Sequence, residues 1–239
     1  MFLVHSHHKW LEWLMMTLQE GNTKLYRWDS GPTFFAYIYY YMNLSESYKR
    51  RIQQLAGIKE SKEIEDISAR TKLAVFDFDG TLVNTPTPTD ENKAIWKEKT
   101  GEEWRGGWFG NRDSLRMDVF DMPTLPGVIS DYKREAADPN SLVIMLTGRI
   151  PSVDKYVEAI LNEKGLKFDD YLYNDGGDTE KVKVRHMEMI LKYNPDIIEI
   201  EMWDDRDPHI PFFKTWGDKM IEKGYIEKFN INHIPGFRH

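Results

Sequence analysis

From Lys72 onward, short apolar runs alternate with helical patterns: LAVF, LVIML, YLYN, IIEIEMW and finally KFNINHI. Strands buried on both faces read as continuous apolar runs, and helices between them form the crossovers that parallel pairing requires. The alternation therefore predicts an α/β domain with a helix-covered parallel sheet. In such sheets ligands gather beyond the carboxyl ends of the strands. Three of these predicted strands run into polar residues there: Asp77, Thr147 and Asp204.

The first strand leads into Asp77, Phe78, Asp79, Gly80 and Thr81, within VFDFDGT. Period-two geometry puts both aspartates on one side, and Gly80 lets the chain turn sharply. Two carboxylates held so close repel unless a hard divalent ion lies between them or one has a raised pKa. Magnesium is the expected occupant. The second strand delivers Thr147, Gly148 and Arg149. A hydroxyl and exposed N–H groups at a strand end can hold phosphoryl oxygens. The fourth ends in Trp203, Asp204, Asp205 and Arg206, bringing two more carboxylates to the same edge.

Between these last two motifs, Lys181 and Lys183 open a helical pattern. At about 100° per residue, Val184, Met187, Ile190 and Leu191 mark its buried face, and Lys183 lies nearer that face than Lys181. Lys183 is thus the expected cation of the site.

The order DxDGT, Thr-Gly, Lys and Asp-Asp resembles the four motifs of the haloacid dehalogenase (HAD) superfamily, over residues 72 to 234. Within it, NTPTPTDENKAIW after the first motif, GGWFG, and DDRDPHIPFF at the fourth resemble the HAD domain of the Swiss Army Knife RNA repair-like proteins. The resemblance implies a Rossmann-like fold with sheet order 5-4-1-2-3 and the DxD strand at its centre. It implies a magnesium-dependent phosphohydrolase acting through an aspartyl phosphate, with nucleotide or polynucleotide phosphate ends as the suggested substrate. Asp77 is then the nucleophile and Asp79 the acid and base. Thr147, Gly148 and Lys183 hold the phosphoryl oxygens. Asp77, Asp205 and Asp79, the last through its backbone carbonyl, bind Mg2+, with Asp204, Arg149 and Arg206 in support. A carboxyl at position 79 favours a phosphatase over the ATPase branch, where Thr stands there, or a dehalogenase.

Seventy positions separate Asp77 from Thr147 (147 − 77), against about 30 residues for a minimal βαβ unit. Residues 82–125, rich in Trp96, Trp104, Trp108 and Phe109, are expected to form a cap. Packing of these aromatics into the domain is the alternative. Residues 1–70 read as a helical accessory region attached to a hydrolase domain at 71–239. Their stretches WLEWLMM and FFAYIYYYM suggest binding to a protein partner or to a second copy. That leaves a rival reading, a HAD-fold scaffold subunit docking through this arm.

Composition narrows the classes further. The net charge of -7 opposes a general polyanion binder, which needs clustered Lys and Arg. The absence of cysteine removes disulfides, thiolate metal sites and a cysteine nucleophile. It fits an intracellular setting, with cytoplasm as the default and an organelle such as the mitochondrion left open. The longest apolar stretches fall short of the roughly 20 residues that span a bilayer, so no membrane insertion is expected.

Overall fold

A computed structural model describes residues 70–235. The accessory region expected at residues 1–70 lies outside them apart from Arg70. Five strands form one sheet: β1 (Lys72–Phe76), β2 (Ser141–Leu146), β3 (Asp170–Leu172), β4 (Glu199–Asp204) and β5 (Lys228–His233). All pairings are parallel, in the order β3-β2-β1-β4-β5. This is the expected order read from the other edge.

The helices are α1 (Asp90–Thr100), α2 (Pro126–Ala137), α3 (Asp154–Glu163), α4 (Thr179–Tyr193) and α5 (Ile210–Glu222). None of the described helices is long and apolar enough to cross a membrane.

The central strands are buried along nearly their whole length, because helices leave neither sheet face to water. Phe76 lies between Met145 and Trp203 in the register, and its ring stacks on Trp203 at 4.2 Å. Trp203 is wholly buried, and a side chain of this size contributes about 5 kcal/mol through some 200 Å² of lost water contact. The edge strand β5 is only half-buried. Its Phe229 fits against Gly217 of α5, where a Cβ would come within 2.2 Å of the ring.

The prolines of TPTPTDEN hold the chain extended until Thr89. That residue caps α1 by accepting the Asn92 N–H at 3.2 Å, and Gly101 in the left-handed region ends the helix. The stretch from 82 to 125 is pinned at both ends. Asn84 N–H donates to the Pro123 carbonyl, and Leu125 N–H to the Leu82 carbonyl. Between these pins, Trp96 and Trp108 are buried in the main core cluster, with Trp104 and Phe109 packed partly buried against it. The Trp108 indole N–H donates to the Pro86 carbonyl at 2.7 Å. The aromatics of this stretch thus belong to the core of the domain.

Candidate active site

β1 carries its ladder one residue past its end, the Asp77 N–H donating to the Trp203 carbonyl at 3.0 Å. The chain then turns back on itself, Val83 N–H meeting the Phe78 carbonyl at 3.1 Å. Gly80 makes this turn with φ of 70°, a conformation that other residues adopt at a cost. A Cβ there would also lie 2.3 Å from Oδ2 of Asp205. Glycine at 80 therefore allows the turn and leaves room for the Asp205 carboxylate.

Asp77 and Asp204 share one cation. Lys183 Nζ lies 2.9 Å from Asp77 Oδ1 and 2.7 Å from Asp204 Oδ2, and all three residues are buried. Asp77 Oδ1 also accepts the Phe78 N–H at 2.8 Å, and Asp204 Oδ1 accepts the Arg206 N–H at 3.0 Å. Lys181, two residues before Lys183, is exposed and pairs with Asp178. One oxygen from each of Asp77, Asp204 and Asp205 lies within 4.8 Å of the others, forming a buried acidic triad.

Burial above all, with Asp204, Asp205 and Asp79 adding to it against the pull of Lys183, pushes the Asp77 carboxyl up to about 8. Burial acts on Asp204 in the same direction, but the charge and hydrogen bond of Lys183 and the Arg206 N–H hold it below its ordinary value. Burial by itself would lower Lys183, yet Asp204 and Asp77 leave it raised. The lysine stays charged, and Asp77 carries the strain of the cluster.

The Asp79 carboxylate is not one of the triad and is held by Arg149. Arg149 Nε lies 3.0 Å from each of its oxygens and Nη2 lies 2.8 Å from Oδ1, while the Thr85 hydroxyl donates to Oδ1 at 2.5 Å. Thr147 is fully buried, its N–H bonded to the Leu172 carbonyl and its Oγ1 accepting the Arg149 N–H at 3.2 Å. Gly148 abuts the start of α4, where a Cβ would meet Thr179 at 2.8 Å. The ends of β1, β2 and β4 and the first turn of α4 thus come together on one rim.

Thr85, Ser114 and His209 were not singled out in the sequence. Ser114 donor and acceptor chemistry serves Arg149, whose Nη1 donates to its Oγ at 2.8 Å. His209 sits with Nδ1 3.9 Å from Asp204 and Nε2 3.5 Å from Glu180, and burial lowers its pKa. His209 falls inside DDRDPHIPFF and Thr85 inside NTPTPTDENKAIW, but Ser114 carries no local signal. Only the fold brings Thr85 to Asp79 and Ser114 to Arg149.

Over 171 residues the chain is 26% identical to the uncharacterized protein YMR265C of Saccharomyces cerevisiae, covering 62% of this chain and 37% of that one. Among solved structures, a chain of the Pnkp1/Rnl/Hen1 RNA repair complex aligns with a TM-score of 0.41 at 19% identity, over 74% of this chain and 48% of that chain. The HAD domain of effector protein Lem4 from Legionella pneumophila aligns with a TM-score of 0.43 at 10% identity, over 72% and 90%. The chain thus spans well under half of its yeast relative and about half of the repair-complex chain. Residues 91–239 match the family described as HAD domain family 1 in Swiss Army Knife RNA repair proteins, a match that begins after Asp77 and Asp79 and includes Thr147, Lys183, Asp204 and Asp205. With most of its length matched, the chain belongs to this HAD domain family of Swiss Army Knife RNA repair proteins.

Proposed function

We propose that this protein is a Mg2+-dependent phosphohydrolase that works through an aspartyl phosphate on Asp77, acting on nucleotide or polynucleotide phosphate ends. The observation that carries the reading is the buried meeting of Asp77, Asp204 and Asp205 at the carboxyl edge of the sheet, with Lys183 bonded to the first two. The substrate class rests on the RNA repair proteins that define the family. Residues 71–239 form the hydrolase domain in this reading, with 82–125 as the insertion beside its site and 1–70 as an accessory region for a protein partner or second copy.

The donor set fits magnesium. Three carboxylates against one ammonium leave two negative charges uncompensated when Asp77 is ionised (3 − 1), and carboxylate oxygens are the hard donors that Mg2+ prefers. Asp77 and Asp205, with the Asp79 carbonyl, would hold the ion, while Asp204 fixes Lys183. Bound there, Mg2+ neutralises charge that builds on the phosphoryl oxygens.

In the first step an Asp77 oxygen bonds to phosphorus as the ester P–O bond breaks, and Asp79, entering the step in its protonated form, gives that proton to the departing oxygen, Arg149 then stabilising the carboxylate left behind. In the second, water bonds to phosphorus, its proton passes to Asp79, and the Asp77–phosphorus bond breaks. Lys183, Thr147 and the Gly148 N–H stabilise the equatorial oxygens through both steps. Arg149 and Arg206 support this shell from behind.

The test is hydrolysis of an aryl phosphate, of nucleotides and of end-phosphorylated oligonucleotides, each with Mg2+ and with chelator. Asp77→Asn should fall below a few per cent of wild-type turnover while keeping its fold. Undiminished turnover in chelator overturns the metal assignment. Inactivity of the wild type on the whole panel favours the scaffold reading.

A further inference from the structure

Arg149 is only 1% exposed, and its guanidinium is shared between two segments far apart in sequence. Nε and Nη2 grip the Asp79 carboxylate at 2.8 to 3.0 Å. Nη1, the remaining nitrogen of the same plane, donates to the Phe109 carbonyl at 3.1 Å and to Ser114 Oγ at 2.8 Å. The guanidinium carbon lies 5.5 Å from the centre of the Phe109 ring and 6.0 Å from that of Phe78. A planar fork engaged at both ends has little freedom to turn, so its two sets of partners are oriented together. The same stretch of the insertion borders a groove of about 450 Å³ between Gly107, Gly110, Asn111 and Arg112 on one side and Ser152 and Val153 on the other.

We infer that Arg149 is a positioning residue that makes proton delivery by Asp79 depend on the 109–114 segment. It sets the rotamer of the acid, and Phe109 and Ser114 set the rotamer of Arg149. This rests on the phosphohydrolase reading above. It goes further by assigning the insertion a part in leaving-group protonation. A group that merely holds the fold together would affect all substrates alike. One that aims the acid would matter most where the departing oxygen needs a proton.

The experiment measures kcat/KM, which reports steps through the first bond cleavage, for a dinitrophenyl phosphate and an alkyl phosphate. The full-length wild type is compared with Asp79→Asn, Arg149→Lys and Ser114→Ala. The dinitrophenolate leaves unaided, whereas the alkoxide requires the acid. Arg149→Lys should lose about a hundredfold on the alkyl ester, the lower range of general-acid contributions, and less than about fivefold on the dinitrophenyl ester. Ser114→Ala should lose about fivefold on the alkyl ester alone, the worth of one hydrogen bond. Equal losses on both esters in both variants overturn the proposal. Should Arg149→Lys fail to fold, Ser114→Ala decides: an unchanged ratio between the esters refutes the coupling. A wild type inactive on both esters defeats the phosphohydrolase reading and this one with it. An active wild type with substrate-independent losses defeats this one alone.

Discussion

Asp77→Asn should stabilise the metal-free protein while destroying its activity. Asp77 Oδ1 takes both the Phe78 N–H and the Lys183 ammonium, and an asparagine oxygen in that position can accept the same two donors. Lys183 also keeps Asp204 at 2.7 Å, so no buried charge is stranded. What the substitution removes is an acid moved from 3.8 to about 8 by burial and its neighbours. Because the folded value is raised, the stability tied to this group is fully present below 3.8 and is lost as pH rises through about 8. Over the roughly 3 pH units from its free value to pH 7, at about 1.36 kcal/mol each, the metal-free wild type forfeits on the order of 4 kcal/mol. For a chain of 239 residues that corresponds to a midpoint about 10 °C higher in the variant. Thermal melts in chelator at pH 7, repeated between pH 4 and 9, provide the assay. The gap between the proteins should widen up to about pH 8 and then level off. Mg2+ at a hundred times its Kd should return about 2.7 kcal/mol to the wild type and much less to the variant. A variant that melts at or below the wild type throughout refutes the account of a strained, negatively charged cluster.

Lys183→Ala should lower turnover at least about tenfold more than Lys181→Ala, a difference of about 1.4 kcal/mol in transition-state stabilisation. It should also destabilise the fold by about 3 to 5 kcal/mol by stranding buried carboxylates, whereas the exposed Lys181 should leave the denaturation midpoint where it was. Calcium should inhibit the magnesium-supported reaction in steady-state assays, since its longer bonds and higher ligand number let it engage both oxygens of the nucleophile. Deleting residues 1–65 should give a soluble, active monomer that has lost an association seen by light scattering in the full-length chain. An insoluble product would refute the docking role of that region.

The sheet was legible in the sequence because each buried parallel strand is a short apolar run closed by a polar residue, from LAVF before Asp77 to IEMW before Asp204. Even half-buried KFNINH stood out, since a helix could not use its alternation. The buried face of α4 was less legible. Apolar periodicity pointed to Val184, Met187, Ile190 and Leu191, whereas the helix buries Val182, Lys183, His186, Met187 and Ile190, with Val184 and Leu191 at the margin. The inner stripe is rotated because a charged lysine and a histidine occupy it. Lys183 is matched by two carboxylates, and burial keeps His186 neutral, its pKa lowered to about 4. A hydrophobicity pattern counts such residues as surface. The grip of Arg149 on Asp79 was not legible, since it joins loops from two strands, and Arg149 is further tied to the insertion through the Phe109 backbone carbonyl. Side-chain identity carries no trace of that bond.

The central claim is a covalent bond between Asp77 and phosphorus, and chemical trapping tests it most directly. Protein turning over a phosphate monoester with Mg2+ is quenched in borohydride, which reduces an acyl phosphate to an alcohol, and its peptides are mapped by mass spectrometry. The account predicts homoserine at position 77 alone, dependent on both substrate and metal. Reduction at any other carboxylate, or an unmodified Asp77 under conditions of steady turnover, would contradict it.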